Sequence, residues 1–275
     1  MTSERVTILD HGYVQLIESW GSDERIIEAA RMSTGKGFLG WGHAVECKEC
    51  NGKGWHHGDC HPRETCGVCN GDKWVKTTGD EKLLRYLYEH KHATPFEMAG
   101  LIIEVQAPIF VFREWHRHRT QSYNEMSARY APLPDLNYIP TVERLLINSK
   151  SNKQAGTIKG AEELTEEKAL VFRAALSSIY DYQEKVYQTA LSMGVPKELA
   201  RIHLPVGRYS RMRASANLRN WLAFLTLRMD SAAQWEIRQY ANQVGVIISQ
   251  LFPRTWELLD DSVNHPTCYT RLAKG

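Results

Sequence analysis

The chain has almost no excess charge: Lys and Arg total 34 against 32 Asp and Glu in 275 residues, a net of +2. A balance that close provides no global field to draw the protein onto a nucleic-acid polymer or an anionic membrane. Long apolar runs are missing as well. No stretch approaches the ~20 residues that a membrane-crossing helix needs. No secretory leader is evident, because Met1 to Arg5 run directly into the strand-like Val6-Thr7-Ile8-Leu9, so a cytoplasmic location is expected. Cysteine is scarce, at 6 residues, and in a reducing compartment closely spaced pairs more often bind metal than form disulfides. What remains is ordinary for a globular chain with ample core, with 43% hydrophobic and 10% aromatic residues.

Lysine is absent where arginine is densest. The segment Arg117-His118-Arg119-Thr120-Gln121-Ser122-Tyr123-Asn124-Glu125-Met126-Ser127-Ala128-Arg129 holds three arginines, a histidine, a glutamate and serines, but no Lys. Solvated charged faces normally mix Lys with Glu, so this composition fits a polyanion cradle better. A guanidinium pairs bidentately with phosphate and keeps its charge when partly desolvated. Glu125 and Ser127 add an acceptor and a small donor suited to ribose hydroxyls and phosphate oxygens. A second stretch, between Leu199 and Met229, contains Arg201, Arg208, Arg211, Arg213, Arg219 and Arg228 and no Lys, Asp or Glu, which predicts a second anion-binding region.

Hydrophobic spacing predicts a helix from Asp23 to Ser33 and another from Asp80, stopped where Thr94-Pro95 forces an extended turn. Leu101 to Val105 reads as a strand. Pro108 suits the first turn of a helix carrying Phe110 to His118, on which Glu114, Arg117, His118 and Gln121 would share one polar face. Residues 149–161 have loop composition. Phe172, Leu176, Ile179, Val186 and Ala190 predict a long helix with a core stripe, ended by Gly194 and Pro196. Tyr209 to Ala216 alternates like a strand and Asn217 to Leu227 reads as helix. Ser231 with Gln234 predicts a capping box for a last helix burying Trp235, Tyr240, Val244, Ile247 and Leu251.

Within residues 43–78, Cys47-Lys48-Glu49-Cys50-Asn51-Gly52 and Cys66-Gly67-Val68-Cys69-Asn70-Gly71 are near copies. The C-x2-C-x15-C-x2-C spacing predicts a closed tetrathiolate site for structural zinc, with Cys47, Cys50, Cys66 and Cys69 as ligands. Cys60, His56, His57 and His61 are alternative ligands; a disulfide pair or an iron–sulfur centre are alternative fates of the thiols. Cys60 and Cys268 read most simply as unmodified. The segment resembles the glycine-bearing cysteine knuckles of some chaperones and nucleic-acid-binding proteins.

The thirteen-residue segment resembles the signature of flavin-dependent thymidylate synthases, Arg-His-Arg, seven residues, then Ser, falling on Arg117 to Ser127. His92 to Glu97, Ala200 to Pro205, and Asn217 to Arg228 with Asp230-Ser231 are similar to further family segments in the same order. The resemblance covers most of the chain but not roughly residues 40 to 80, nor the polar stretch 149–161. It implies an α+β fold, a small mixed or antiparallel sheet packed with long helices, as a single catalytic domain over 1–275 with the 43–78 insert. It also implies a homotetramer with active sites shared between subunits, FAD and NADPH as cofactors, and transfer of a one-carbon unit from methylenetetrahydrofolate to carbon 5 of dUMP.

By resemblance, Thr94, Arg117, His118, Arg119, Glu125, Asn217 and Arg219 fall on flavin-contacting positions. Arg117, Glu125, Ser127, Arg129, Arg201 and Arg228 fall on nucleotide-contacting ones. Arg228 beside a pyrimidine could stabilise negative charge at N3 and O2 and make carbon 5 nucleophilic, so no cysteine adduct is needed. Ser127 has no adjacent base and reads as a phosphate-binding serine. His118, between two arginines, is expected to be a neutral hydrogen-bonding partner. The sequence departs from the family at Glu114, usually Gln; at Met98, where His is common; and at Ala223, in place of an Asn or His that touches flavin. A carboxylate at 114, once paired with a cation, could accept from a cytosine amino group. That motivates an alternative, a dCMP or dUMP hydroxymethylase. A nucleic-acid-binding module built on the insert is disfavoured by the near-neutral charge.

Overall fold

The structure, a computed structural model, describes all residues except 1–3, 43, 59–60, 70, 72, 77–78, 148–155 and 265–275, and leaves out the side chains of 44–45, 56–58, 61–63, 76 and 261–264. In chain order its elements are β1 (Val6–Ile8), β2 (Gly12–Trp20), α1 (Asp23–Arg31), β3 (Ala44–Glu46), β4 (Trp55–Gly58), β5 (His61–Thr65), β6 (Trp74–Lys76), α2 (Asp80–Glu89), α3 (Ala93–Phe96), β7 (Gly100–Pro108), α4 (Ile109–Trp115), β8 (Ser122–Glu125), α5 (Val142–Leu146), α6 (Glu166–Ser192), α7 (Lys197–Ala200), β9 (Tyr209–Asn217), α8 (Leu218–Arg228), α9 (Trp235–Leu251) and α10 (Pro253–Asn264). The predicted α+β class is what is found.

Alternation along β7 sets the core. Leu101, Ile103, Val105 and Ala107 are fully buried and point to one face of a five-stranded antiparallel sheet ordered β1-β2-β7-β9-β8. Helices α8 and α9 cover that face, burying Trp221, Phe224, Ile237, Val244 and Ile248. Each fully buried side chain of this kind contributes about 1.5–3 kcal/mol. The sheet needs glycine at one crossing: a Cβ on Gly12 would lie 2.0 Å from the Tyr240 hydroxyl, which itself donates to the Gln106 carbonyl at 3.0 Å. Helix starts follow local chemistry. Ser22, Thr165 and Asn217 cap α1, α6 and α8 with side-chain oxygens that accept from Arg25, Lys168 and Asn220 N–H groups.

Several expectations change. Thr94 and Pro95 lie inside α3 rather than in an extended turn, because Pro95 is only the third helical residue and its missing N–H has no intrahelical partner to lose. The final long helix starts at Trp235, capped by Gln234 with no side-chain cap bond; Gln234 instead donates to Glu236, so no Ser231–Gln234 capping box forms. Helix α4 ends at Trp115, and the signature continues as a turn and then β8, not as a helical ridge. Strands β2 and β8 have no counterpart among the sequence expectations. The stripe on α6 is not core: Phe172, Ile179 and Val186 are 49%, 52% and 38% exposed. Most of the predicted 149–161 loop, as well as Cys60 and Cys268, lies outside the described residues.

Candidate functional site

Helix α4 delivers the signature to the sheet edge, and a tight turn then spreads it. Its end is held by aromatic packing: buried Trp115 stacks on Phe224 at 4.6 Å and its indole N–H donates to Gln121 Oε1 at 3.1 Å. The Tyr123 hydroxyl reaches the carbonyls of Trp115 (3.1 Å) and His118 (2.7 Å). Asn220, on the first turn of α8, donates to the Thr120 carbonyl at 3.1 Å. The turn is therefore a rigid mount, although it is neither helix nor strand.

At its base Arg228, the last residue of α8, points back into the signature. Nη1 donates to Glu114 Oε2 and Nη2 to the Glu114 carbonyl, both at 2.8 Å, and Nε donates to His118 Nε2 at 3.0 Å. Three acceptors lock the guanidinium in one plane, and two of its five N–H bonds are left uncommitted. The Arg228 side chain is 10% exposed and that of Glu114 41%, so the pair opens to the surface on the carboxylate side. Burial first, and the Arg228 charge second, push the His118 pKa down to about 4. His118 is thus the neutral acceptor expected from the sequence. Because Nε2 accepts, the ring proton is on Nδ1.

Above this post, Arg117 and Arg119 are exposed. No carboxylate among the described residues pairs with either. Glu125 is half-buried on β8, opposite Met212 of β9. Past the strand, the Ser127 hydroxyl accepts from the Arg129 N–H at 3.3 Å, and Arg129 Nε reaches Glu198 of α7 at 3.1 Å. That ion pair is more than half exposed on both sides, so it can open at little cost. Arg201 follows directly after α7, half-buried and without an ion pair among the described residues. Arg129, Tyr130, Pro132, Leu191, Pro196 and Glu198 line a cleft of about 590 Å³, a size that suits a small ligand.

A third group faces outward from α3 and α8. Thr94 is exposed. Arg219 Nη1 donates to Glu97 at 3.3 Å, and Ala223 and Met98 lie exposed beside them in sequence and fold. The Asn217 carbonyl oxygen is used to cap α8, leaving only its amide NH₂ for a ligand.

The arginine-rich stretch 199–229 does not act as one unit. Arg208 is a buried strut, at 2.7 Å from both Asp135 and Glu184. Arg213 turns to the other sheet face, toward Glu104 at 3.4 Å. Arg228 reaches Glu114 and His118, Arg219 pairs with Glu97, and Arg211 and Arg213 line a separate depression of about 310 Å³ with Asn124 and Met126. Strand alternation explains the scatter: Arg211 and Arg213 point away from core-facing Met212 and Ala214. Sequence reasoning missed Tyr123, Glu97 and Glu198, whose roles depend on contacts across elements that no local spacing marks.

In the insert, the sulfurs of Cys47, Cys50, Cys66 and Cys69 lie within 4.8 Å of one another, all buried. This is a candidate four-cysteine metal site. The alternative ligands His56, His57, Cys60 and His61 lie outside the described side chains.

Three kinds of comparison bear on these sites. Residues 15–254 match the family described as thymidylate synthase complementing protein. The chain is 37% identical over 252 residues to a flavin-dependent thymidylate synthase of Thermosipho africanus, covering 91% of each chain. It is 35% identical over 256 residues to a flavin-dependent thymidylate synthase of Thermus thermophilus, covering 93% of this chain and 78% of that one. Among solved structures it resembles a UMP/dUMP methylase, PolB from Streptomyces cacaoi bound with 5-Br dUMP, with a TM-score of 0.67, 30% identity, and coverage of 92% and 96% of the two chains.

Proposed function

The chain belongs to the family of flavin-dependent thymidylate synthases, and on that premise we propose how its residues divide the methylation of a uracil nucleotide. It is an enzyme of the methyl-transferring kind. In the proposed reaction dUMP, methylenetetrahydrofolate and NADPH with a proton give dTMP, tetrahydrofolate and NADP⁺. FAD, when bound, supplies the redox chemistry that links NADPH to the one-carbon unit.

The locked guanidinium of Arg228 carries the reading. Its two spare N–H bonds are fixed before substrate arrives, so they can meet charge developing at the pyrimidine N3 and O2 without reorganisation. Glu114 and neutral His118 position it. Arg129, Arg201 and Ser127 hold the nucleotide phosphate, with the Arg129–Glu198 pair opening to release the fork. The unpaired Arg117 and Arg119 fit the phosphates of a dinucleotide, and Thr94, Arg219 and the Asn217 amide offer its outer contacts. Glu125 accepts from a ribose hydroxyl. Two arginines with no internal carboxylate are the observation that makes the residues fit FAD.

A homotetramer with shared sites belongs to the same proposal. It is supported by the outward-facing flavin residues and by the apolar side chains left exposed on α6, among them Leu170, Val171, Phe172 and Ile179. Such a patch is costly in water and is relieved by a partner. A cytoplasmic location is part of the proposal too, supported by the clustering of Cys47, Cys50, Cys66 and Cys69, which suits metal binding in a reducing compartment. No helix among the described residues is long and apolar enough to cross a membrane.

A second reading rests on Glu114, whose Oε1 makes no hydrogen bond among the described residues and can accept from the exocyclic amino group of cytosine. One incubation separates the two. With NADPH and methylenetetrahydrofolate, the purified yellow protein should convert dUMP to a product of dTMP mass. Turnover of dCMP alone, or a hydroxymethylated product, would replace the first reading with the second.

A further inference from the structure

We propose that Cys47, Cys50, Cys66 and Cys69 bind one zinc ion as a closed tetrathiolate centre, and that this ion holds the insert together. The sulfur geometry carries the argument. Cys47 and Cys66 sulfurs are 3.9 Å apart, and those of Cys50 and Cys69 3.7 Å. A tetrahedron with Zn–S bonds of about 2.3 Å has edges of about 3.8 Å. A disulfide needs about 2.05 Å, so neither pair is placed for one.

The backbone is built around the same point. The first cysteine of each knuckle donates its N–H to the carbonyl seven residues after the first cysteine of the other: Cys47 to Lys73 at 2.9 Å and Cys66 to Gly54 at 3.0 Å. The two halves are thus exchanged about an approximate two-fold passing between the sulfurs, with β3 paired to β6 and β4 to β5. After each second cysteine the chain enters the left-handed region, at Asn51, Gly52 and Gly54 in one copy and at Gly71 and Lys73 in the other. That turn aims amides at sulfur: the Gly54 N–H donates to Cys50 Sγ at 3.2 Å. Backbone N–H···S bonds of this kind stabilise a metal-bound thiolate.

Little apolar material surrounds the sulfurs. Among the described residues, the only apolar side chain packed on the four cysteines is the half-buried Val75, while Val68 and Trp74 are 58% and 56% exposed. A segment this short, with so little apolar packing among its described residues, needs a metal to offset its chain entropy. With four thiolates as ligands, no coordination position is left for substrate, so the ion is structural. The insert leaves and rejoins the body at one place. A Cβ on Gly79 would lie 1.9 Å from the Gly42 nitrogen, and Asp80 N–H donates to the Gly40 carbonyl at 3.0 Å. Loss of the metal therefore unties a loop whose stem stays fixed.

The test uses the full chain, purified without added metal or chelator. Elemental analysis should find about one zinc per chain, and a mercurial titrated against the thiols should release it, read with a chromophoric chelator. The variant Cys47→Ser with Cys66→Ser should hold less than about a tenth of that zinc, with flavin absorbance and dTMP formation unchanged. Stoichiometric iron, a metal-free wild type, or zinc that persists in the variant would each overturn the proposal. Should the variant fail to fold, the wild-type titration alone decides. Zinc in a protein without flavin would count against the catalytic reading and leave this one standing.

Discussion

The cysteine insert and the arginine signature are both proposed ligand cradles, and they are built in opposite ways. All four cysteines of the insert lie within 23 residues and converge inside one chain, with almost no apolar packing around them among the described residues. The signature sits on a large core, yet the residues proposed for its site come from α3, the turn after α4, the segment after α7, and α8, and part of the set faces outward. A site whose ligands are local can be complete on its own, because short loops cost little entropy to close. A site drawn from remote elements depends on the core to place each side chain, and in the proposed assembly it also leaves surfaces for another subunit to complete.

Breaking each cradle in turn should expose that contrast. The largest effect is expected at Arg228. Arg228→Ala removes the fixed donors and should lower dTMP formation by about 10²–10³-fold, with a stability loss of roughly 1–3 kcal/mol from the unpaired Glu114 and His118, measured by steady-state kinetics and urea melts. Retention of more than half the activity would remove Arg228 from the chemistry. Next comes assembly: Phe172→Glu with Ile179→Glu should convert the oligomer to smaller species in light scattering, with loss of bound flavin, while far-UV circular dichroism stays unchanged.

A smaller effect follows from protonation. The unfolded chain takes up a proton at His118 as pH falls through 6.5, but the folded chain resists until about 4. His118 therefore costs no stability above pH 6.5 and an increasing amount between pH 6.5 and 4. The thermal midpoint of the wild type should fall over that window more steeply than that of His118→Asn; parallel curves would contradict the burial argument. The smallest effect should come from excising residues 43–78 through a short Gly linker between Gly42 and Gly79. Flavin content and turnover should stay within about twofold, since the stem is anchored by the body. Arg254 lies 4.4 Å over the Trp41 ring and the Trp41 indole donates to Glu24 at 2.8 Å.

Some elements were legible because their cause is local. The Asn217 start of α8, the strand at Tyr209 and the helix from Asp23 depend on capping and alternation within a few residues. Others depend on distant partners. The period of α6 is helical, as expected, but periodicity marks an apolar face without saying whether this chain or another covers it. Strand β8 pairs with β9 through residues such as Asn124 and Glu125, polar choices that carry no strand signal. Arg208 and Arg228 look alike in sequence, and only packing makes one a strut between Asp135 and Glu184 and the other a post beside the site.

Residue order alone determined the family signature, the cysteine knuckles and most helices, since each is written in spacings of two to four positions. Tertiary structure decided which arginines are buried struts and which stay unpaired, that Glu114 is the partner of Arg228, that His118 is neutral, and that α6 is left bare. Those outcomes depend on burial and on charges more than a hundred residues apart in sequence, and such distances close only when the sheet and its covering helices pack.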